Sequence, residues 1–193
     1  MADPKDHYHM RDGKILIEIK LADIMQVFDS LDPFPFLEKA LDRNAEEFIT
    51  ESVKELPLKD ELSLVIHLPE DIAQGKEAQG LKTAIKNHYA YRASATAREL
   101  RQKFRQGRLS LVIGLAFLFV CLSINQALVI LGNTILINTL REGFLIIGWV
   151  AMWEPINIFL YAWWPIRREL KVYEKIHSMD IEVLPLPKTP AFD

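Results

Sequence analysis

The residue best placed to do chemistry in an unusual setting is Glu154. It is the only charge in residues 144–164, and Pro155 follows it directly, which removes one helical hydrogen bond and frees the carbonyl of Ala151. A charge at the centre of a bilayer costs at least about 2.5–3.5 kcal/mol on insertion scales, so such a carboxyl must be neutralised, paired or wet. Asn157 lies close by on the same segment. Counting from the outer ends of the two apolar runs puts Cys121 level with Glu154, Asn125 about one turn further out, and Gln126 beside it. This set could carry a protonatable group on an ion or proton route. It could also be a protonated Glu bonded to Asn, Gln or a neighbouring subunit. One acid without a file of polar partners favours this second, structural reading.

Other chemistry-bearing residues point to nothing as specific. His7 and His9 have an i, i+2 spacing that a metal could use, but beside Asp3 and Asp6 they read as a polar terminus. His67, His88 and His177 fall on separate elements and read as surface or packing residues. Asp29, Asp32 and Glu38 surround a proline turn and read as a solvated turn with an Asx cap. The single Cys121 allows neither a disulfide framework nor a cysteine zinc site within one chain. A Gly-rich phosphate loop, a His-Glu-x-x-His pair, a nucleophile elbow and a G-x-x-x-G pair in the apolar runs are all missing. We therefore expect no catalytic residues, no metal, no cofactor and no enzymatic activity.

The elements that position Glu154 are set by where the apolar residues concentrate. Half of the 193 residues are apolar and a quarter charged, which suits a soluble domain on average. Residues 109–140, however, carry no charge at all. At 1.5 Å per residue these would reach about 48 Å, against a hydrocarbon core of about 30 Å, so a break is expected at Gly132-Asn133. This gives a first transmembrane helix at 109–131, an external segment at 132–143 read as a short interfacial helix or a loop, and a second transmembrane helix at 144–164. Trp149 and Trp153 lie within the second helix, and Tyr161, Trp163 and Trp164 fit an interfacial aromatic belt.

Charge fixes the orientation. Arg98, Arg101, Lys103, Arg105 and Arg108 precede the first helix; Arg167, Arg168, Lys171 and Lys175 follow the second; only Arg141 lies between. Five and four against one predicts a hairpin with both termini in the cytoplasm. These basic residues, as far as Lys171, are read as anchors to anionic lipid headgroups rather than as a nucleic-acid patch. The first ten residues lack the layout of a cleaved signal peptide, consistent with a cytoplasmic start. Net charge is −6 over 1–97, +4 over the juxtamembrane helix 98–108, −1 over 109–164 and zero beyond. An acidic domain is thus held off the bilayer by a basic collar.

Within residues 1–97 the periodicity predicts a small cytoplasmic α+β domain. Residues 14–20 alternate as a strand, with Ile15, Ile17 and Ile19 on one face. Ile24, Val27, Phe28 and Leu31 mark a short helix ended by Pro33 and Pro35. A second helix runs from Phe36 or Asp42 to Leu56, burying Leu37, Leu41, Ala45, Phe48, Ile49, Val53 and Leu56; in a late start, Asn44 and Glu47 offer a capping box. Residues 61–68 alternate again, with Leu62, Leu64, Ile66 and Leu68 on one face. From 80 to 107 a helical stripe of Ile85, Tyr89, Ala93, Ala97, Leu100 and Phe104 leads into the first span, with small residues that permit close helix packing. Residues 165–193 continue as helix and then a last strand at Ile181, Val183 and Leu184, which we expect to complete the sheet.

Three stretches, Val27-Phe28-Asp29-Ser30-Leu31-Asp32-Pro33-Phe34-Pro35-Phe36, Gly107-Arg108-Leu109-Ser110-Leu111-Val112-Ile113-Gly114-Leu115, and Gly148 to Ile156 through Trp163-Trp164-Pro165, resemble an uncharacterised family of small bacterial two-span inner-membrane proteins. The resemblance covers most of the chain. It implies a bacterial inner-membrane location and carries over no catalytic residue. Glu154 stands where a basic residue is common in that family, and Ala162 where an acidic one is, which implies a charge pair lost or rearranged here. The expectation is a non-enzymatic oligomeric scaffold or accessory subunit of a membrane complex, with the bilayer and further subunits as partners and no nucleic acid. A homo-oligomeric ion or proton channel with Glu154 in its pore is the alternative.

Overall fold

A computed structural model describes residues 7–28, 40–73, 75–132 and 134–186. The chain divides into two compact units, Met1–Ala95 with Glu169–Asp193, and Thr96–Arg168. The first is built on a four-stranded sheet in the order β1-β2-β3-β4, comprising β1 (His9–Arg11), β2 (Lys14–Lys20), β3 (Leu62–Leu68) and β4 (Asp180–Pro185). The hairpin β1–β2 is antiparallel and turns at Asp12 and Gly13, both at positive φ, the conformation an Asp-Gly pair favours. The pairs β2–β3 and β3–β4 are parallel.

Parallel neighbours need crossover connections. Between β2 and β3 these include a 3-10 helix, Ile24–Val27, and helix α1, Arg43–Glu55. Asp42 caps α1 by accepting from the amides of Asn44 (2.9 Å) and Ala45 (3.4 Å), so the late start is the right one and the cap is Asp42 rather than Asn44. The expected stripe holds at Leu41, Ile49, Val53 and Leu56. Phe48 departs from it and is 49% exposed, because the buried face of α1 turns towards Ser52. Leu31, Pro33, Pro35, Leu37 and the acids Asp29, Asp32 and Glu38 lie outside the described residues.

The connection from β3 to β4 carries the rest of the chain. It contains α2 (Glu70–Ala73), α3 (Lys76–Ile130), α4 (Ile135–Val150), α5 (Trp153–Asn157), a π-helix (Ile158–Ala162) and α6 (Trp164–Ser178). Two helical stretches within it, Ala78–Ile130 and Ile135–Ser178, are long and apolar enough to cross a membrane. Helix α3 is unbroken from the sheet unit into the first apolar run and stops at Gly132, whose φ of +105° suits glycine alone. Thr134 caps α4 through the amide of Ile137. The segment expected as a separate external loop or interfacial helix is therefore, from Ile135 onward, the first turns of α4. The helix breaks later, at Ala151 and Met152, one turn ahead of Pro155, as the missing proline donor requires.

The sheet buries one face against α1, α3 and α6 through Ile15, Ile17, Leu62, Leu64, Ile66, Leu68 and Ile181, packed on Ile49, Val53, Leu81, Ile85, Tyr89, Val172 and Ile176. The expected face of Leu62, Leu64, Ile66 and Leu68 is buried, and so is the opposite face, all seven residues of β3 being buried. Two ion pairs and a histidine contact span that face: Arg11 of β1 reaches Glu182, Lys14 of β2 reaches Asp180, both on β4, and His67 meets Glu18. Deleting residues 180–193 removes both pairs and the Ile181 contact. We expect the β3 amides to exchange hydrogen at least tenfold faster in the truncated chain, a loss of at least about 1.4 kcal/mol; unchanged protection would show that β4 does not complete the sheet.

Candidate functional site

In the second unit the two apolar helices touch along a narrow antiparallel strip of small residues. A Cβ added to Gly107 would lie 2.7 Å from Ile158 Cγ2; one on Gly114, 3.0 Å from the Ala151 carbonyl oxygen; one on Gly148, 2.9 Å from Leu118 and 3.0 Å from Cys121 Cβ. Gly107, Gly114 and Cys121 are seven residues apart, which keeps them on one face of α3. This spacing was readable in the sequence; a search for G-x-x-x-G passes over it. Phe104 extends the strip, with ring centroids 6.4 Å from Phe159 and 6.0 Å from Trp163.

These crossings relocate Glu154. Gly148, not Glu154, faces Cys121, and Glu154 falls between Met152, which meets Gly114, and Ile158, which meets Gly107. It therefore lies opposite the stretch of α3 between Gly107 and Gly114 rather than opposite Cys121, displaced towards the end that bears Arg108. The expectation counted the second helix from residue 144, whereas α4 starts at Ile135, and the register shifts accordingly. Glu154 and Gln126 are exposed on the surface of the chain and Asn157 is half-buried; among the described residues no side-chain hydrogen bond joins any of the three. Asn125 is engaged instead, its Nδ2 donating to the Arg141 carbonyl at 2.7 Å across the helix pair. Ser123 and Thr139 bond the carbonyls four residues back on their own helices.

The basic positions separate by environment. Arg98, Arg101, Arg105, Arg108, Arg168 and Lys171 are exposed, and Lys103 is half-buried. The Arg167 guanidinium sits 5.5 Å from the centroid of the Trp163 ring, a cation–π contact.

The first unit holds a polar cluster that sequence reasoning did not find, because its members come from three helices far apart in the chain. Glu46 of α1 pairs with Arg92 (2.7 Å) and His88 (3.3 Å) of α3. The amide of Leu41 donates to His88 Nδ1 at 3.4 Å, which assigns the ring proton to Nε2, facing Glu46. Arg92 donates to the Tyr173 hydroxyl (3.0 Å), and that hydroxyl donates to Glu169 (2.7 Å) on α6. Tyr89, fully buried, donates to the Glu46 carbonyl at 3.3 Å. Burial pushes the Tyr89 phenol well above its usual range, and burial with the Glu169 bond pushes Tyr173 up to about 12. Both remain neutral, as hydrogen-bonding struts. The His88 bond, aided by the Arg92 charge and opposed by burial, holds the Glu46 carboxyl below the usual range.

Three of the four remaining histidines are also tied in, while His7 is exposed. His67 Nε2 (3.1 Å) and His9 Nδ1 (2.7 Å) both meet Glu18, and His177 Nδ1 lies 3.1 Å from the Lys86 carbonyl. Among the described residues no group of three or more His, Cys, Asp or Glu could hold a metal ion. Compared with known protein families, curated proteins and solved structures, the chain matches none.

Two expectations follow. Gly148→Ala should destabilise the helix pair by about 1–3 kcal/mol, because Leu118 or Cys121 must shift. Gly143→Ala, where an added Cβ meets nothing within 4 Å, should be neutral or stabilising by up to about 1 kcal/mol; thermal unfolding in detergent would compare them. A carboxyl whose folded pKa is depressed contributes stability that is complete above its unfolded pKa and lost as pH falls through the folded value. Glu46→Gln should therefore cost about 1–3 kcal/mol at pH 7 and weaken the fall in stability below about pH 4.5. An identical acid limb in both proteins would show that Glu46 does not carry it.

Proposed function

We propose that this chain is an integral membrane protein whose two apolar helices cross a bacterial inner membrane as a hairpin, with the sheet unit and both termini in the cytoplasm. It acts, on this reading, as a non-enzymatic oligomeric scaffold or accessory subunit of a membrane complex. The observation that carries the proposal is the exposed surface of the helix pair. Only the small-residue strip is covered, and Leu109, Val112, Ile113, Phe119, Ile146, Trp149, Val150 and Trp153 are all exposed. Each such side chain left in water forfeits about 1.5–3 kcal/mol, which lipid or further helices would recover.

The chain path supports the orientation. Strands β3 and β4 pair directly, and the apolar helices lie between them in sequence, so both ends of the hairpin return to the same side. The five and four basic residues against Arg141 favour the cytoplasm as that side. Gln126, Glu154 and Asn157, without side-chain hydrogen bonds among the described residues, leave polar groups for a further subunit to satisfy. The location of Glu154, nearer the basic end of the helix pair than its middle, favours structural use over a pore. Glu154→Gln should accordingly leave assembly intact; a loss of ion flux in vesicles would restore the channel reading.

In a Cys121→Ala background, a cysteine at Thr134 should react with a membrane-impermeant maleimide in intact spheroplasts. One at Ser178 should react only after permeabilisation. Reaction of both, or of neither, before permeabilisation would contradict the hairpin.

A further inference from the structure

The arginines ahead of the first apolar run form a built surface rather than a diffuse collar. Arg98, Arg101, Arg105 and Arg108 succeed one another by three, four and three residues, which places them on one face of α3. All four are exposed, and none has an ion pair or side-chain hydrogen bond among the described residues. Arg98, Arg101, Gln102, Arg105, Gln106 and Leu109 line an open groove of about 590 Å³; Glu99, the one acid in this segment, does not line it. Of the other basic residues, Lys103 is half-buried, Arg167 is committed to the Trp163 ring, and Arg168 and Lys171 are exposed but do not line the groove.

The same face turns apolar at once. Leu109 and Val112, four and seven residues beyond Arg105, are 62% and 65% exposed. From Arg105 to Val112 the rise is about 10 Å, so one ligand could meet guanidinium and hydrocarbon surface together. A nucleic acid would neutralise the basic half and leave the apolar half bare. A zwitterionic lipid would bring its own cation to a groove that has no acid to receive it.

We propose that this stripe is a binding site for the phosphate headgroup of an acidic phospholipid, its acyl chains lying along Leu109 and Val112. Arg105 and Arg108 stand nearest the hydrocarbon, and Arg98 and Arg101 extend the site outward; guanidinium suits it because it grips phosphate oxygens in pairs. The site rests on the membrane reading above.

The test uses the full chain purified in mild detergent, with bound lipid counted by native mass spectrometry against phosphatidylglycerol and phosphatidylcholine of equal chain length. Phosphatidylglycerol should be retained in preference. R101Q/R105Q should weaken its binding by roughly 30-fold, and K20Q/R43Q, at two exposed basic residues of the sheet unit, should leave it unchanged. Equal retention of the two lipids, equal loss in both double variants, or displacement of the lipid by a short oligonucleotide would overturn the site. Alkaline carbonate extraction of the same variants separates the two claims. Protein that stays in the membrane pellet without lipid preference refutes the site alone, whereas release by carbonate overturns the membrane reading and the site with it.

Discussion

The parallel pairing of β3 with β4 is the constraint on which the rest depends. Parallel strands cannot be joined by a tight turn, so a long connection must leave one end of the sheet and return to the other. Most proteins fill that connection with one helix. Here it holds α3 to α6, including both apolar helices, and the chain comes back in register, Ser63 opposite Asp180 and Leu64 opposite Ile181. The ion pairs Arg11–Glu182 and Lys14–Asp180 bind the returning strand to the first hairpin across the face of β3 opposite the helices. The polar cluster of Glu46, Arg92, Tyr173 and Glu169 does the same for the helices, joining α3 before the apolar run to α6 after it.

The two units use opposite means of cohesion. The sheet unit has an aliphatic core of branched side chains with ionic cover, as suits a body surrounded by water. The helix pair is held close by small residues along its contact, with the aromatic rings of Phe104, Phe159 and Trp163 at one end. Gly107, Gly114, Cys121 and Gly148 let the backbones approach, and bulky apolar residues point outward. That inversion suits a lipid surround, where apolar surface need not be hidden and close packing holds helices together. It gives physical content to the membrane reading beyond hydropathy alone.

Much of the fold was legible in sequence where a single period dominated. The strands at Lys14–Lys20 and Leu62–Leu68, the stripe through Ile85 and Tyr89, the break at Gly132 and the final strand at Ile181 and Val183 all announce themselves by local pattern. The short strand β1 was missed although Asp12-Gly13 is a strong hairpin signal, because three exposed residues show no alternation to read. The level of Glu154 was misjudged because it depended on where α4 begins, and the uncharged residues 135–140 could be helix or loop by composition alone. The site at Glu46, His88 and Arg92 was not legible at all. No spacing encodes it, since it exists only after α1, α3 and α6 have packed.

The central claim is that β4 pairs with β3 while the hairpin between them crosses the membrane. It is tested most directly with cysteines at Ser63 and Asp180 in a Cys121→Ala chain that carries a protease site in the turn after Gly132. Membranes would be treated with a short bifunctional maleimide and the turn cut from outside. The account predicts that the two fragments stay joined on a denaturing gel and separate when the cross-linker is omitted. Fragments that separate despite cross-linker, or a turn that resists the protease until the membrane is opened, would contradict it.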